Sequence, residues 1–140
     1  MRLKGTMPGM AYEFTIQAEY LHLQFSGQLT VEELSIGAKL LDEADATAGA
    51  AMHRLTDISG VKDISINFAA MQDFAEKRSA VKHKNQVRSA IVAKTPVQYG
   101  CARMFQMLSK QPGIMFAVFG DTASALLWIS GASEVDQPPL

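Results

Sequence analysis

The sequence predicts a single α/β domain on a mixed, mostly parallel sheet of about five strands, with an N-terminal hairpin and four helices in the order ββαβαβαβα. Three observations carry this. Two alternating apolar runs stand close together near the start, strand-like and helix-like periods then alternate along the chain, and three of the four helix-like stretches open on a recognisable cap. The chain has 140 residues, 48% of them hydrophobic and 19% charged, which suits one core and excludes wholesale disorder.

Residues 1–11 carry Gly5, Pro8 and Gly9 without periodicity and read as a flexible leader. Tyr12, Phe14 and Ile16 alternate with Glu13, Thr15 and Gln17, the period of a half-buried strand. Leu21, Leu23 and Phe25 repeat it, so the two runs form a hairpin turning near Ala18 to Tyr20. Thr30 caps the first helix, Glu33 completes a capping box, and Gly49 stops it. Val31, Leu34, Ala38, Leu41 and Ala48 form its inward stripe.

A short strand follows from Met52 to Ile58, ending at the turn-like Ser59-Gly60. The second helix starts near Ile66, with Phe68, Met71, Phe74 and Ala75 inward. The next strand lies within Gln86 to Ala93, whose run Ala90-Ile91-Val92-Ala93 suits burial on both faces. Thr95 and Pro96 start the third helix, with Val97, Cys101, Met104, Phe105 and Leu108 as its inner stripe. Pro112-Gly113 ends it, and Ile114 to Phe119 is the last strand. Asp121 caps a closing helix whose bulk is Leu126, Trp128 and Ile129. The polar residues 132–140 contain Pro138-Pro139 and read as a flexible tail, which leaves the domain at 12–131.

Composition excludes several classes of function. A net charge of −1 lacks the basic excess of a nucleic-acid binder. A single cysteine cannot form an internal disulfide. The longest apolar run, Ile114 to Phe119, has six residues against the roughly 20 that span a bilayer, so no transmembrane segment is expected. The first ten residues carry no secretory signal, and a cytoplasmic location follows as the expectation. His22, His53, His83 and Cys101 share no metal-ligand spacing, and no phosphate-cradling glycine loop or nucleophile elbow occurs. Cys101 falls on an apolar stripe, as a buried hydrophobe does. Neither metal nor cofactor is expected, and no catalytic constellation is readable.

The element order, and three stretches within it, resemble the STAS domain of bacterial anti-sigma-factor antagonists and its SpoIIAA-like relatives. Phe25-Ser-Gly-Gln-Leu-Thr30 resembles the strand end and cap that open the first helix, and Leu55-Thr-Asp-Ile-Ser-Gly60 the third strand and its turn. Ser89-Ala-Ile-Val-Ala93, Phe105, Phe116-Ala-Val-Phe119 and Ala125-Leu-Leu-Trp-Ile129 are most similar to the uncharacterised SpoIIAA-like branch, grouped by fold with the lipid-exchange CRAL-TRIO domains. In the antagonists an Asp-Ser-Ser-Gly motif opens the second helix, and its second serine is phosphorylated. Here Asp63-Ile64-Ser65-Ile66 keeps the aspartate and the acceptor serine, so the resemblance implies Ser65, with Asp63, as phospho-acceptor. Counting instead from Asp57-Ile-Ser-Gly60 shifts the register by two and loses the serine. Ser65 as a plain helix cap is the competing reading.

Two further groups are candidates. Lys77, Arg78, Lys82, Lys84 and Arg88 carry five positive charges with no acid among them, while Glu32 to Asp45 holds five acids against Lys39. The basic run is a candidate anion patch, or else the solvated end of a helix. Met71, Met104 and Met107 lie on the second and third helices, where thioethers line an adaptable apolar pocket or simply fill core.

Two functions are expected from these features. One is a non-enzymatic STAS-like regulatory module that engages a protein partner. The other is a carrier or sensor of a small lipophilic or anionic ligand held near the second and third helices. An edge strand of the hairpin also offers a route to a homo-oligomer.

Overall fold

A computed structural model describes residues 2–7, 10–83 and 85–131. The elements run β1 (Arg2–Met7), β2 (Met10–Ile16), β3 (Tyr20–Thr30), α1 (Val31–Ala48), β4 (His53–Ser65), α2 (Phe68–Ser79), β5 (Val87–Val92), α3 (Pro96–Leu108), β6 (Ile114–Phe119) and α4 (Thr122–Ile129). One sheet of six strands holds them in the order β1-β2-β3-β4-β5-β6, antiparallel from β1 to β3 and parallel from β3 to β6. The expected tail at 132–140 lies outside the described residues.

The sheet has one strand more than the five expected. Arg2 to Met7, read above as leader, pairs with β2 in a register that sets Leu3 opposite Phe14 and Gly5 opposite Tyr12. Two basic residues and a glycine break the apolar alternation by which strands are recognised, yet β2 offers a free edge and Arg2 pairs with Glu13 across the strands. The second difference is β4, which continues past Ile58 to Ser65. β3 runs equally far and keeps pairing with it, Gln28 opposite Asp63 and Thr30 opposite Ser65. Ser59-Gly60 is therefore no turn. A Cβ at Gly60 would stand 3.2 Å from the Phe25 carbonyl oxygen, so glycine lets the two strands close up where their register shifts.

Spatial order follows sequence order, so each parallel crossover steps the same way. Crossovers of one hand then place α1, α2 and α3 on a single face. That face holds the larger core, with Leu21, Leu23, Phe25 and Leu29 of β3, Ile58 and Val61 of β4, Ile91 and Val118 beneath Leu41, Ala44 and Ala102. α4 follows the last strand and turns to the other face, where Ala125, Trp128 and Ile129 cover Leu55, Ala90, Val92 and Ala117. Caps fix the helix starts as the sequence indicates. Thr30 with Glu33 and Thr95 with Gln98 form capping boxes, and Asp121 accepts from the Ser124 N–H at 2.7 Å. No helix among the described residues is long and apolar enough to cross a membrane.

Candidate functional site

Between the sheet and the layer of three helices lies a cavity of about 110 Å³. Protein interiors seldom leave voids larger than a water molecule, so this volume has a cause in the sequence. α1 sits close on β3, because Gly37 has no side chain: a Cβ there would stand 2.8 Å from both Leu23 Cδ2 and Phe25 Cζ. Around that contact, small residues face the space: Ala38 from α1 and Cys101 and Ala102 from α3. Leu23, Phe25, Ile58, Met71, Phe74 and Phe105 close most of the remaining wall. Burial pushes the Cys101 thiol above its ordinary pKa, so it stays protonated and acts as apolar lining.

One end of the cavity is polar, at Arg54, Arg78, Ser89 and Gln111. Strand alternation turns Arg54 of β4 and Ser89 of β5, which are register partners, toward the helices. Arg54 is 2% exposed. Its Nη2 donates to Asp45 Oδ2 at 2.7 Å and to the Met52 carbonyl at 2.8 Å, and its Nε donates to that same carbonyl at 3.1 Å. Its Nη1 is buried without a partner among the described residues. Asp45 Oδ1 accepts from the Met52 N–H at 3.1 Å. Arg78 makes a two-bonded pair with Asp42 at 2.8 and 3.0 Å and ties α2 to α1. Gln111 Nε2 donates to the Val81 carbonyl at 3.0 Å.

The expected pocket residues fare unevenly. Met71 lines the cavity; Met104 is half-buried outside it, and Met107 is 69% exposed. α3 is rotated from the expected stripe, since Val97 is 66% exposed while Gln98 is 2% exposed. Gln98 lies inward because Oε1 accepts from the Lys94 and Thr95 N–H groups and Nε2 donates to the Ser59 and Val61 carbonyls of the unexpectedly long β4. The signal missed in the sequence is the inward parity of Arg54 in a central strand, together with the small residues at 37, 38, 101 and 102.

The basic residues are dispersed. Lys77 pairs with Asp73 at 3.0 Å on the surface, and Arg78 is held by Asp42. Lys82 is exposed, and Lys84 lies outside the described residues. Arg88 lies on the opposite sheet face, 5.5 Å from the centroid of the Trp128 ring, with Nη1 donating to the Trp128 carbonyl.

Asp63 and Ser65 are exposed at the end of β4, and Ser65 does not cap α2. Asn67 does, accepting from the Ala70 N–H at 2.8 Å. Asn67→Ala is therefore expected to lower unfolding free energy by about 1 kcal/mol. Ser65→Ala should stay within about 0.5 kcal/mol, and urea unfolding of both variants checks the contrast.

The histidines do not converge. Burial holds His22 below its ordinary pKa against the pull of Asp57 and Glu13, and its Nε2 is buried without a partner among the described residues. Burial, then Arg88 and Arg54, lowers His53, whose Nδ1 accepts from the Arg88 N–H at 2.9 Å. His83 is lowered first by burial. Among the described residues no three His, Cys, Asp or Glu side chains form a group able to hold a metal ion.

No family model matches the sequence, and no curated protein matches it. A solved structure does: an uncharacterised protein of the DUF3478 family from Shewanella loihica PV-4, described as having a SpoIIAA-like fold. It is 24% identical, aligns over 91% of this chain and 95% of its own, and superposes with a TM-score of 0.55. With the parallel β3–β6 order, the three-helix layer and α4 behind, that likeness shows that this chain has the SpoIIAA-like fold.

Proposed function

We propose that this chain is a non-enzymatic binding module that carries or senses a small lipophilic molecule in the cavity beneath α1, α2 and α3. The observation that supports this is the cavity itself, about 110 Å³ of largely apolar space between the sheet and the three helices. Apolar walls left without neighbours forfeit dispersion contacts, and an apolar occupant restores them. Burial keeps the Cys101 thiol protonated, as wall rather than nucleophile, and the reading is one of binding.

A second reading draws on the β4–α2 corner, where exposed Ser65 ends β4 and Phe68, an aromatic residue 52% exposed, opens α2. An exposed aromatic ring at such a corner suits a protein contact of the regulatory kind.

One experiment separates the two. Native mass spectrometry of the gently purified chain is expected to show the chain mass plus a small molecule, and Ala102→Leu, which puts three more carbons into the space, should lose it. A bare chain mass accompanied by a co-purifying protein would favour the corner instead.

A further inference from the structure

We infer that the cavity takes a small monocarboxylic acid, with the carboxylate on Nη1 of Arg54 and the hydrocarbon part among Leu23, Phe25, Met71, Phe74 and Phe105. This rests on the cavity being a ligand site and adds what the ligand is. Three observations converge on it.

The first is the orphaned donor. Arg54 is 2% exposed, yet Nη1 is buried without a partner among the described residues. Buried donors are nearly always satisfied, and an unmet N–H on a charged group is costlier than one on a neutral group. The surrounding carboxylates are already engaged. Asp45 gives one oxygen to Arg54 Nη2 and the other to the Met52 N–H, and both Asp42 oxygens hold Arg78. Arg54 lines the cavity, so an occupant of that space can supply the acceptor that Nη1 lacks among the described residues.

The second is the sign of the lining. Arg54 and Arg78 both line the cavity, and neither Asp45 nor Asp42 does. The Asp42 side chain is 41% exposed against 11% for Arg78, so water screens the anion of that pair more than the cation. The interior therefore faces the positive ends of two ion pairs. A carboxylate gains a charge-assisted bond from a guanidinium N–H, which a neutral hydroxyl or a hydrocarbon does not.

The third is size. A cavity of roughly 150 Å³ admits a benzene molecule, and this one, at about 110 Å³, is smaller, so a single ring is the upper bound. One ring or a short branched chain fits. A diacyl lipid or a sugar phosphate does not.

The test is a titration of the intact, isotope-labelled chain followed by amide chemical shifts, with benzoate and toluene as probes. They share the ring and differ in the charge. Both are expected to shift the amides of Ser89, Ile91 and Ala102, with benzoate binding at least about tenfold more tightly. In Arg54→Met/Asp45→Asn, which removes both charges and keeps an acceptor for the Met52 N–H, that preference should vanish while toluene still binds. The comparison within the wild-type chain needs no variant to fold. Toluene binding with benzoate no tighter would overturn the acid and leave the cavity reading standing. So would a benzoate preference that persists in the double variant. Failure of both probes would overturn the cavity reading and this inference together.

Discussion

Replacing Arg54 alone with methionine is expected to lower the free energy of unfolding by about 3–5 kcal/mol, among the largest effects of any single substitution in this chain. The change removes three hydrogen bonds, two of them to the Met52 carbonyl, and leaves Asp45 as a buried carboxylate with no cation beside it. The side chains of the pair are 3% and 11% exposed, so water gives little relief. The companion substitution Asp45→Asn should recover more than half of the loss, because the uncompensated charge carries most of the penalty. Urea unfolding of the wild type, both single variants and the double variant closes the cycle. Additive losses would mean that the two side chains act independently and that the ion pair is incidental.

Trp128→Ala is expected to cost about 3–5 kcal/mol, the usual range for deleting a buried aromatic. Trp128 is 5% exposed and packs against the Phe119 ring at a centroid distance of 5.6 Å, with the Arg88 guanidinium on its face. α4 has only eight residues, so too few neighbours remain to refill the space above Leu55, Ala90 and Ala117. Leu127→Ala, one position earlier and 53% exposed, should stay within about 0.5 kcal/mol. Thermal unfolding of the two variants side by side measures the difference. Equal losses would mean that α4 is held by its backbone and caps more than by its buried face.

Much of the fold was legible because local chemistry marked it. Thr30, Glu33, Thr95, Pro96 and Asp121 sit where helices must begin, and the alternation of Tyr12 to Ile16 and Leu21 to Phe25 is a strand period that the sheet reproduces. What escaped was decided at long range. β1 is a strand because β2 offers an edge, and Gly60 lies within β4 because β3 runs alongside it. Gln98 is buried because its amide meets the Ser59 and Val61 carbonyls, a contact that no helical periodicity encodes. The cavity was the least legible. Its polar end joins Arg54, Arg78, Ser89 and Gln111 from four separate segments, and its emptiness comes from what Gly37, Ala38, Cys101 and Ala102 lack. Of the three methionines the sequence singles out, only Met71 lines the cavity.

The contact at Gly37 also bears on how such a site can change over generations. The helix rests directly on the ends of the Leu23 and Phe25 side chains, so a larger residue at 37 must push those ends aside or lift α1. That wall is the tighter one. The opposite wall is permissive, because Ala102 and Cys101 of α3 face open volume and accept or lose carbons without moving a backbone. Relatives that keep the glycine and differ at the α3 positions would inherit one anchoring end and diverge in the size of molecule they admit. The fold thus separates a tight gauge from an adjustable one.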